Sequence, residues 1–343
     1  MFIPFILPFY YLVFWKSREK SLFYIGLFML LFLSAFRDLS VGVDTVQYLA
    51  TYKSAKMSSL QAIWEDVLGK EPLYYSIEYL CSSGGLSYGS FMGIQSMLFL
   101  IPIGIGLRRD RTRPVLSLAY LILLGFFFCS LNVTRQMIAT SFCFLGYVFL
   151  EDRKYFWAVL SIVLSLGFHT TAFLAIIVFA LPFLNINKLW TVALLLVSFI
   201  VPVVVDLSTY LTLFANNLSV FESFMLYLDD DFNDLGRLPI YNAIRTAMFI
   251  FAAFNYKARN GQKDLIYKVA LLAVIIHNLI YGVPSYVSRI VYYFDIAFII
   301  FFVRWGNKNI IATSLSLFYA ILYYFHQYII LKHDGVIPFE LDF

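Results

Sequence analysis

From Phe2 to Leu331 the chain is a succession of long apolar runs separated by short charged connections, a pattern that leaves very few folds open. Of 343 residues, 61% are hydrophobic and 13% charged, with a mean hydropathy of +0.80; soluble domains are about half apolar. A soluble globule is excluded, and the chain reads as an all-α, polytopic integral membrane protein. A bilayer core takes about 20 apolar residues per helix, which gives about twelve transmembrane helices. They are expected at residues 2–15, 21–36, 88–107, 114–131, 134–150, 155–168, 170–184, 189–205, 239–256, 265–282, 284–303 and 309–331, in a single polytopic domain over 1–343. Met1 to Trp15 reads as the first span rather than a cleavable leader, because its cations follow it and no small-residue cleavage site comes after.

Basic residues collect in cytoplasmic loops, so the net charge of +4 is a topology signal before it is a signal for nucleic acid, and no nucleic-acid partner is expected. Lys16, Arg18 and Lys20, then Arg108, Arg109, Arg111 and Arg113, then Arg153 and Lys154, Lys188, Lys257, Arg259 and Lys263, and Arg304 and Lys308 fill connections that an even number of spans separates. All can be cytoplasmic at once. The outer face then holds two long loops, 37–87 and 206–238, expected to cap the bundle, and the tail from Lys332. Ile63-Trp64 and Leu73-Tyr74-Tyr75 give the first loop apolar surface to lie on the bilayer or the bundle. Asp229-Asp230-Asp231-Phe232-Asn233-Asp234 in the second resembles the start of a calcium loop, but Asp234 stands where glycine is needed, so it reads as a solvated acidic loop. Cys81, Cys129 and Cys143 have neither disulfide nor metal spacing.

Ionisable groups inside spans cost about 2.5 to 3.5 kcal/mol each, so each needs a reason. Arg135, beside Gln136, opens the fifth span at the outer face, as a snorkelling anchor or as an anion ligand. Gly167-Phe168-His169-Thr170-Thr171 interrupts the run from Tyr155 to Leu184, so two half-length helices are expected to meet at His169, a core histidine or a general base. Arg237 and Arg245 bracket the entrance of the ninth span. Arg289 lies in the eleventh, where Tyr292 and Tyr293 fall at i+3 and i+4 on one helical face, with Asp295 deeper as the neutraliser of a neighbouring arginine. His277-Asn278 offers a second candidate base, whereas His326 and His333 read as structural. Several outer-leaflet arginines, Arg37, Arg135, Arg237, Arg245 and Arg289, suit a phosphate or pyrophosphate bound by paired donors, with no metal and no cofactor required.

The stretches Phe36-Arg37-Asp38 with Val41-Gly42-Val43-Asp44-Thr45 and Tyr48, Asn132-Val133-Thr134-Arg135-Gln136-Met137-Ile138-Ala139, Phe168-His169-Thr170-Thr171-Ala172, and Ser288-Arg289-Ile290-Val291-Tyr292-Tyr293-Phe294 together resemble the EpsG family, which is similar to the Wzy polymerases of O-antigen and capsule synthesis. The resemblance implies a helical bundle related to the GT-C type of glycosyltransferase, in the bacterial inner membrane with its site facing the periplasm. It implies transfer of a growing glycan from undecaprenyl pyrophosphate to the non-reducing end of a new undecaprenyl-pyrophosphate-linked repeat unit. A chain-length regulator of the Wzz type would be a partner. Arg37, Asp44, Arg135, His169 and Arg289 carry over as site residues.

Guanidiniums stabilise the charge that builds on a departing pyrophosphate, so Arg135 and Arg289 are expected to hold the donor, with Gln136, Tyr292, Tyr293, Arg237 and Arg245 in the same binding set. His169 is the expected base, Asp44 the second choice, with Arg37 and Asp44 at the lip of the cavity where Gly42 turns the chain. Alternatives are an O-antigen ligase using the same donor, a flippase or transporter of lipid-linked sugars, and an acyltransferase with a membrane-buried histidine.

Overall fold

A computed structural model of the chain describes residues 19–57, 61, 71–110, 112–205, 239–256, 264–281, 289–307 and 309–342. The expected first span at 2–15, Ile63-Trp64 and the whole loop 206–238, with its acidic run and Arg237, lie outside the described residues. Packing groups the chain into two compact units, Met1–Ile176 with Phe298–Phe343, and Ile177–Ala297.

Among the described residues there is no β-strand, only an isolated antiparallel bridge between Arg37 and Leu341. The first unit holds α1 (Glu19–Ala35), α2 (Thr45–Ala55), α3 (Pro72–Ser83), α4 (Tyr88–Asp110), α5 (Pro114–Leu123), α6 (Phe126–Asn132), α7 (Thr134–Glu151), α8 (Tyr155–Phe168), and, after the second unit, the later α13 and α14. A 3-10 helix, Thr170–Phe183, leads into the second unit, which contains α9 (Lys188–Val204), α10 (Pro239–Asn255), α11 (Leu265–Leu279), a 3-10 turn at Arg289–Val291 and the short α12 (Tyr292–Asp295). The chain then returns to the first unit through α13 (Phe298–Gly306) and α14 (Ile310–Tyr324), whose end winds into a π-helical turn at Phe325–Ile330.

From residue 21 onward, the described part of each expected span is helical over most of its length, but few of them are full-length rods. Only α4, among the described residues, is by itself long and apolar enough to cross a bilayer; its 23 residues rise about 34 Å. The expected span at 114–131 is bent by 54° between α5 and α6, and the described part of the one at 284–303, from residue 289, is divided among the 3-10 turn, α12 and α13. Two of the expected spans are broken in their described parts: Gly125, with φ of 84°, interrupts one run, and short turns interrupt another. The surface chemistry nevertheless suits lipid. Phe28, Phe156 and Phe318 of the first unit are 66%, 72% and 67% exposed, while Ser34, Gln95, Asn132 and Thr140 are buried, an inversion that water would not tolerate over so large an area.

At one end of the first unit, Arg304 of α13 is buried between two carboxylates. Its Nε donates to Asp110 Oδ1 of α4 at 2.7 Å, and its Nη1 to Glu151 Oε1 of α7 at 3.0 Å. Arg109 pairs with Asp152 nearby in sequence, at 2.7 Å. In the second unit a buried polar chain, Ser198 to Asn278 to Thr246, ties α9, α11 and α10, and Lys268 Nζ donates to the carbonyls of Leu181 and Leu184, at 3.0 and 2.7 Å, capping the end of the long 3-10 helix.

Candidate functional site

The described parts of the 37–87 loop are mostly helical. Its described parts form α2 and α3, which pack together: Ser82 Oγ donates to Tyr52 O at 2.7 Å and Thr51 Oγ1 to Glu78 Oε1 at 3.0 Å. Pro72 opens α3 at a position where its missing N–H costs nothing. Glu71 precedes it as the N-cap, yet its side chain caps no helix N–H. Glu71, Tyr74, Tyr75 and Glu78 fall at i, i+3, i+4 and i+7, one face of the helix. Tyr74 is accordingly buried, packed on the protein rather than on lipid, the second of the two placements its sequence allows.

That face meets Arg135, the second residue of α7, and His169. Arg135 Nη1 donates to Glu71 Oε2 at 2.5 Å and to Tyr75 Oη at 2.7 Å. The guanidinium carbon stands 5.6, 5.7 and 5.6 Å from the ring centres of Tyr48, Tyr74 and Tyr75, within cation–π range. Its Nε is buried with no partner among the described residues. His169 sits where α8 stops, in extended backbone (φ −158°, ψ 125°) before the 3-10 helix begins, as the interrupted run led one to expect. Its Nδ1 is bonded to Glu71 Oε1. One carboxylate thus joins a guanidinium and an imidazole. Glu71 is 4% exposed, whereas the side chains of Arg135 and His169 are 30% and 24% exposed, so both partners reach solvent and the carboxylate does not.

Close packing brings α3 to His169. Gly167 on α8 faces Leu73, and a Cβ on the glycine would lie 2.5 Å from Leu73 Cγ. Tyr74 Oη accepts from Gln95 Nε2 of α4 at 2.7 Å, which fixes the ring from behind. In this loop region burial pushes Glu78 up to about 7, against the pull of the Thr51 hydroxyl and the Arg135 charge. Burial likewise raises Tyr48, with Arg135 acting in the opposite direction and Asp44 and Glu71 in the same one.

The remaining expected residues separate. Arg37 is 3% exposed and donates to Ser34 O at 2.8 Å and Leu131 O at 3.4 Å, joining the C-terminal ends of α1 and α6. Instead of standing at an open lip it is a buried tie. Gly42 does turn the chain, with φ of 94°, and a Cβ there would meet Leu131 O at 2.7 Å. The turn is held by Gly42 N to Gly335 O and Val43 N to Asp334 O, both 3.1 Å. Asp44 donates its N–H to Asn132 Oδ1 at 2.8 Å, and Asn132 Nδ2 donates to Asp334 Oδ1 at 2.8 Å. The Asp44 side chain is half-buried, one turn ahead of Tyr48 on α2, and Gln136 is buried beside Arg135.

Arg245, Arg289, Tyr292 and Tyr293 belong to the second unit. Arg245 is buried and its Nε donates to Tyr241 O at 3.3 Å. Arg289 opens the 3-10 turn, so the single helical face expected for Arg289, Tyr292 and Tyr293 does not form: three-residue winding aligns i with i+3, and Tyr293 is fully buried while Tyr292 is half-exposed. Asp295 is paired with His277 Nε2 at 2.7 Å.

Sequence reasoning missed Glu71 and Glu78. The signal was present in Glu71-Pro72 as a helix start followed by the Tyr74, Tyr75, Glu78 periodicity. Comparison with curated proteins and with solved structures finds no match. A family model does match, over residues 2–341. It takes in the Arg37, Arg135, His169 and Arg289 segments in one alignment, and the chain therefore belongs to the EpsG family, as a membrane protein of polysaccharide biosynthesis.

Proposed function

We propose that this chain is a Wzy-type polysaccharide polymerase, a glycosyltransferase of the bacterial inner membrane whose site faces the periplasm. It takes the growing glycan from undecaprenyl pyrophosphate and passes it to the non-reducing end of a new undecaprenyl-pyrophosphate-linked repeat unit, in O-antigen, capsule or exopolysaccharide synthesis. A Wzz-like regulator acting on chain length is the partner that fits this reading. The observation that carries it is the meeting of Arg135 and His169 on one buried carboxylate, with the Arg135 guanidinium beside the Tyr48, Tyr74 and Tyr75 rings.

The acceptor hydroxyl oxygen bonds to the anomeric carbon of the donor, and the bond from that carbon to pyrophosphate breaks. The electron pair leaves with undecaprenyl pyrophosphate, where Arg135 offers forked donors to the growing charge. The hydroxyl proton passes to His169; because Nδ1 is engaged by Glu71, Nε2 is the receiving nitrogen. Asp44, on the neighbouring helix start, orients the acceptor sugar. A donor-binding role for Arg289, Arg237 and Arg245 is a separate part of the proposal, carried by the sequence alone.

Reconstitution in vesicles with a defined undecaprenyl-pyrophosphate-linked repeat unit tests the reading. The expected product is a ladder of polymer lengths, lost in His169→Ala and Arg135→Ala at equal protein levels. Transfer to a lipid A core without a ladder would identify a ligase, and movement of the lipid across the bilayer without transfer would identify a flippase.

A further inference from the structure

Among the described residues Glu71 is bonded to both Arg135 and His169, and the reaction as written above uses it only to mark which histidine nitrogen is free to receive the proton. Its two oxygens are divided: Oε2 accepts from Arg135 Nη1 at 2.5 Å, and Oε1 is bonded to His169 Nδ1. A single negative charge, buried at 4% exposure, is shared by a guanidinium and an imidazole. We propose that Glu71 is the positioning residue of this site and its internal anion: it holds His169 by Nδ1 so that Nε2 faces the acceptor's proton, and it occupies Arg135 until the donor's pyrophosphate replaces it. The proposal rests on the polymerase reading.

The exchange follows from charge and geometry. A pyrophosphate carries more charge and more acceptor oxygens than one carboxylate, so a planar fork of donors gains by moving to it. Tyr75 Oη, which accepts from the same Nη1 at 2.7 Å, can keep the guanidinium tethered during the move. The buried Nε of Arg135 adds a donor not engaged by any described residue. Once Arg135 turns to the donor, the carboxylate acts on His169 alone. A carboxylate on Nδ1 orients the ring and steadies the imidazolium that forms when Nε2 takes the proton. Arrival of the donor thus converts Glu71 from the counter-ion of an arginine into the support of the base.

Glu71→Gln keeps the size and hydrogen-bonding reach of the side chain and removes its charge. In the full-length protein in lipid nanodiscs, binding of inorganic pyrophosphate is measured by calorimetry, and turnover is measured in vesicles with the lipid-linked repeat unit. E71Q is expected to bind pyrophosphate about tenfold more tightly, the internal competitor being gone, while kcat falls about a hundredfold or more because the base has lost its support. Damage to packing would weaken both, so movement in opposite directions is specific to the proposed role. E71D, with a shorter reach to both partners, is expected to move each quantity the same way by less, and it carries the comparison if E71Q does not fold. Arg135→Gln is expected to lose pyrophosphate binding. Pyrophosphate affinity in E71Q and E71D equal to or weaker than wild type, or wild-type kcat in both, overturns the assignment. The binding arm needs no sugar substrate, so it reads Glu71 separately from the reaction; a wild type that makes no polymer overturns the polymerase reading instead.

Discussion

Gly167 of α8 and Leu73 of α3 approach so closely that a Cβ on the glycine would stand 2.5 Å from both Cγ and Cδ1 of the leucine. Leu73 lies two residues beyond Glu71 and Gly167 two before His169, so this contact sets the distance across which the carboxylate and the imidazole meet. Gly167→Val is expected to push α3 away, costing about 1–3 kcal/mol by overpacking and shortening or abolishing polymer. Leu73→Ala in the same chain should restore part of both. Thermal unfolding in detergent and polymer length at matched protein levels check it, and a wild-type ladder from Gly167→Val alone would separate this contact from the site.

Glu78 makes stability depend on pH. Burial raises its carboxyl from 4.5 to about 7, so the folded chain keeps a proton that the unfolded chain releases between those values. The contribution is therefore full below pH 4.5 and is lost as pH rises through 7, on the order of 3 kcal/mol at most. Glu78→Gln removes the titration. Its Tm relative to wild type should rise between pH 5 and pH 8, and a difference that stays constant over that interval would mean that Glu78 does not titrate there.

Arg304→Met leaves Asp110 and Glu151 buried without their shared cation. Breaking a buried pair in this way costs about 3–5 kcal/mol, so Tm and membrane yield should both drop. Arg304→Lys, which keeps the charge but not the fork, should recover only part of the loss. Equal stability of the methionine and wild-type proteins in detergent melts would show the cluster to be neutral.

Arg289→Lys is expected to raise the donor KM several-fold with a smaller effect on kcat, since a point charge replaces paired donors. Chelator should leave wild-type turnover unchanged, because guanidiniums neutralise the pyrophosphate in this mechanism. Activity lost to EDTA and regained with Mg²⁺ would place a divalent ion in the reaction.

The apolar runs are legible because lipid and core both demand them, and the described helices outside the 37–87 loop fall on them. The break at His169 is legible for a related reason: Gly167 and two threonines interrupt an otherwise unbroken apolar stretch, and α8 does end at Phe168. Glu71 is not legible in that way. Its partners are 64 and 98 residues away, and an acid in a long outer loop looks like any solvated acid until those partners arrive. Arg37 shows the converse. Its charge is plain in the sequence, but that it would be buried on the carbonyls of Ser34 and Leu131 depends on α6 turning back at the bend after α5.

The Arg304 cluster also bears on the order in which the protein is made. Asp110 and Glu151 wait 194 and 153 residues for their arginine, whereas Arg135 and His169 meet Glu71 within 98. At the ribosome Glu71, Arg135 and His169 are all in the chain well before Arg304 is synthesised. The two acids must meanwhile stay hydrated or protonated, so the ends of α4 and α7 that carry them cannot close until α13 returns to them. Translation that stops short of α13 leaves the site residues present and the far end of the unit unfastened, a state that a membrane protease could recognise.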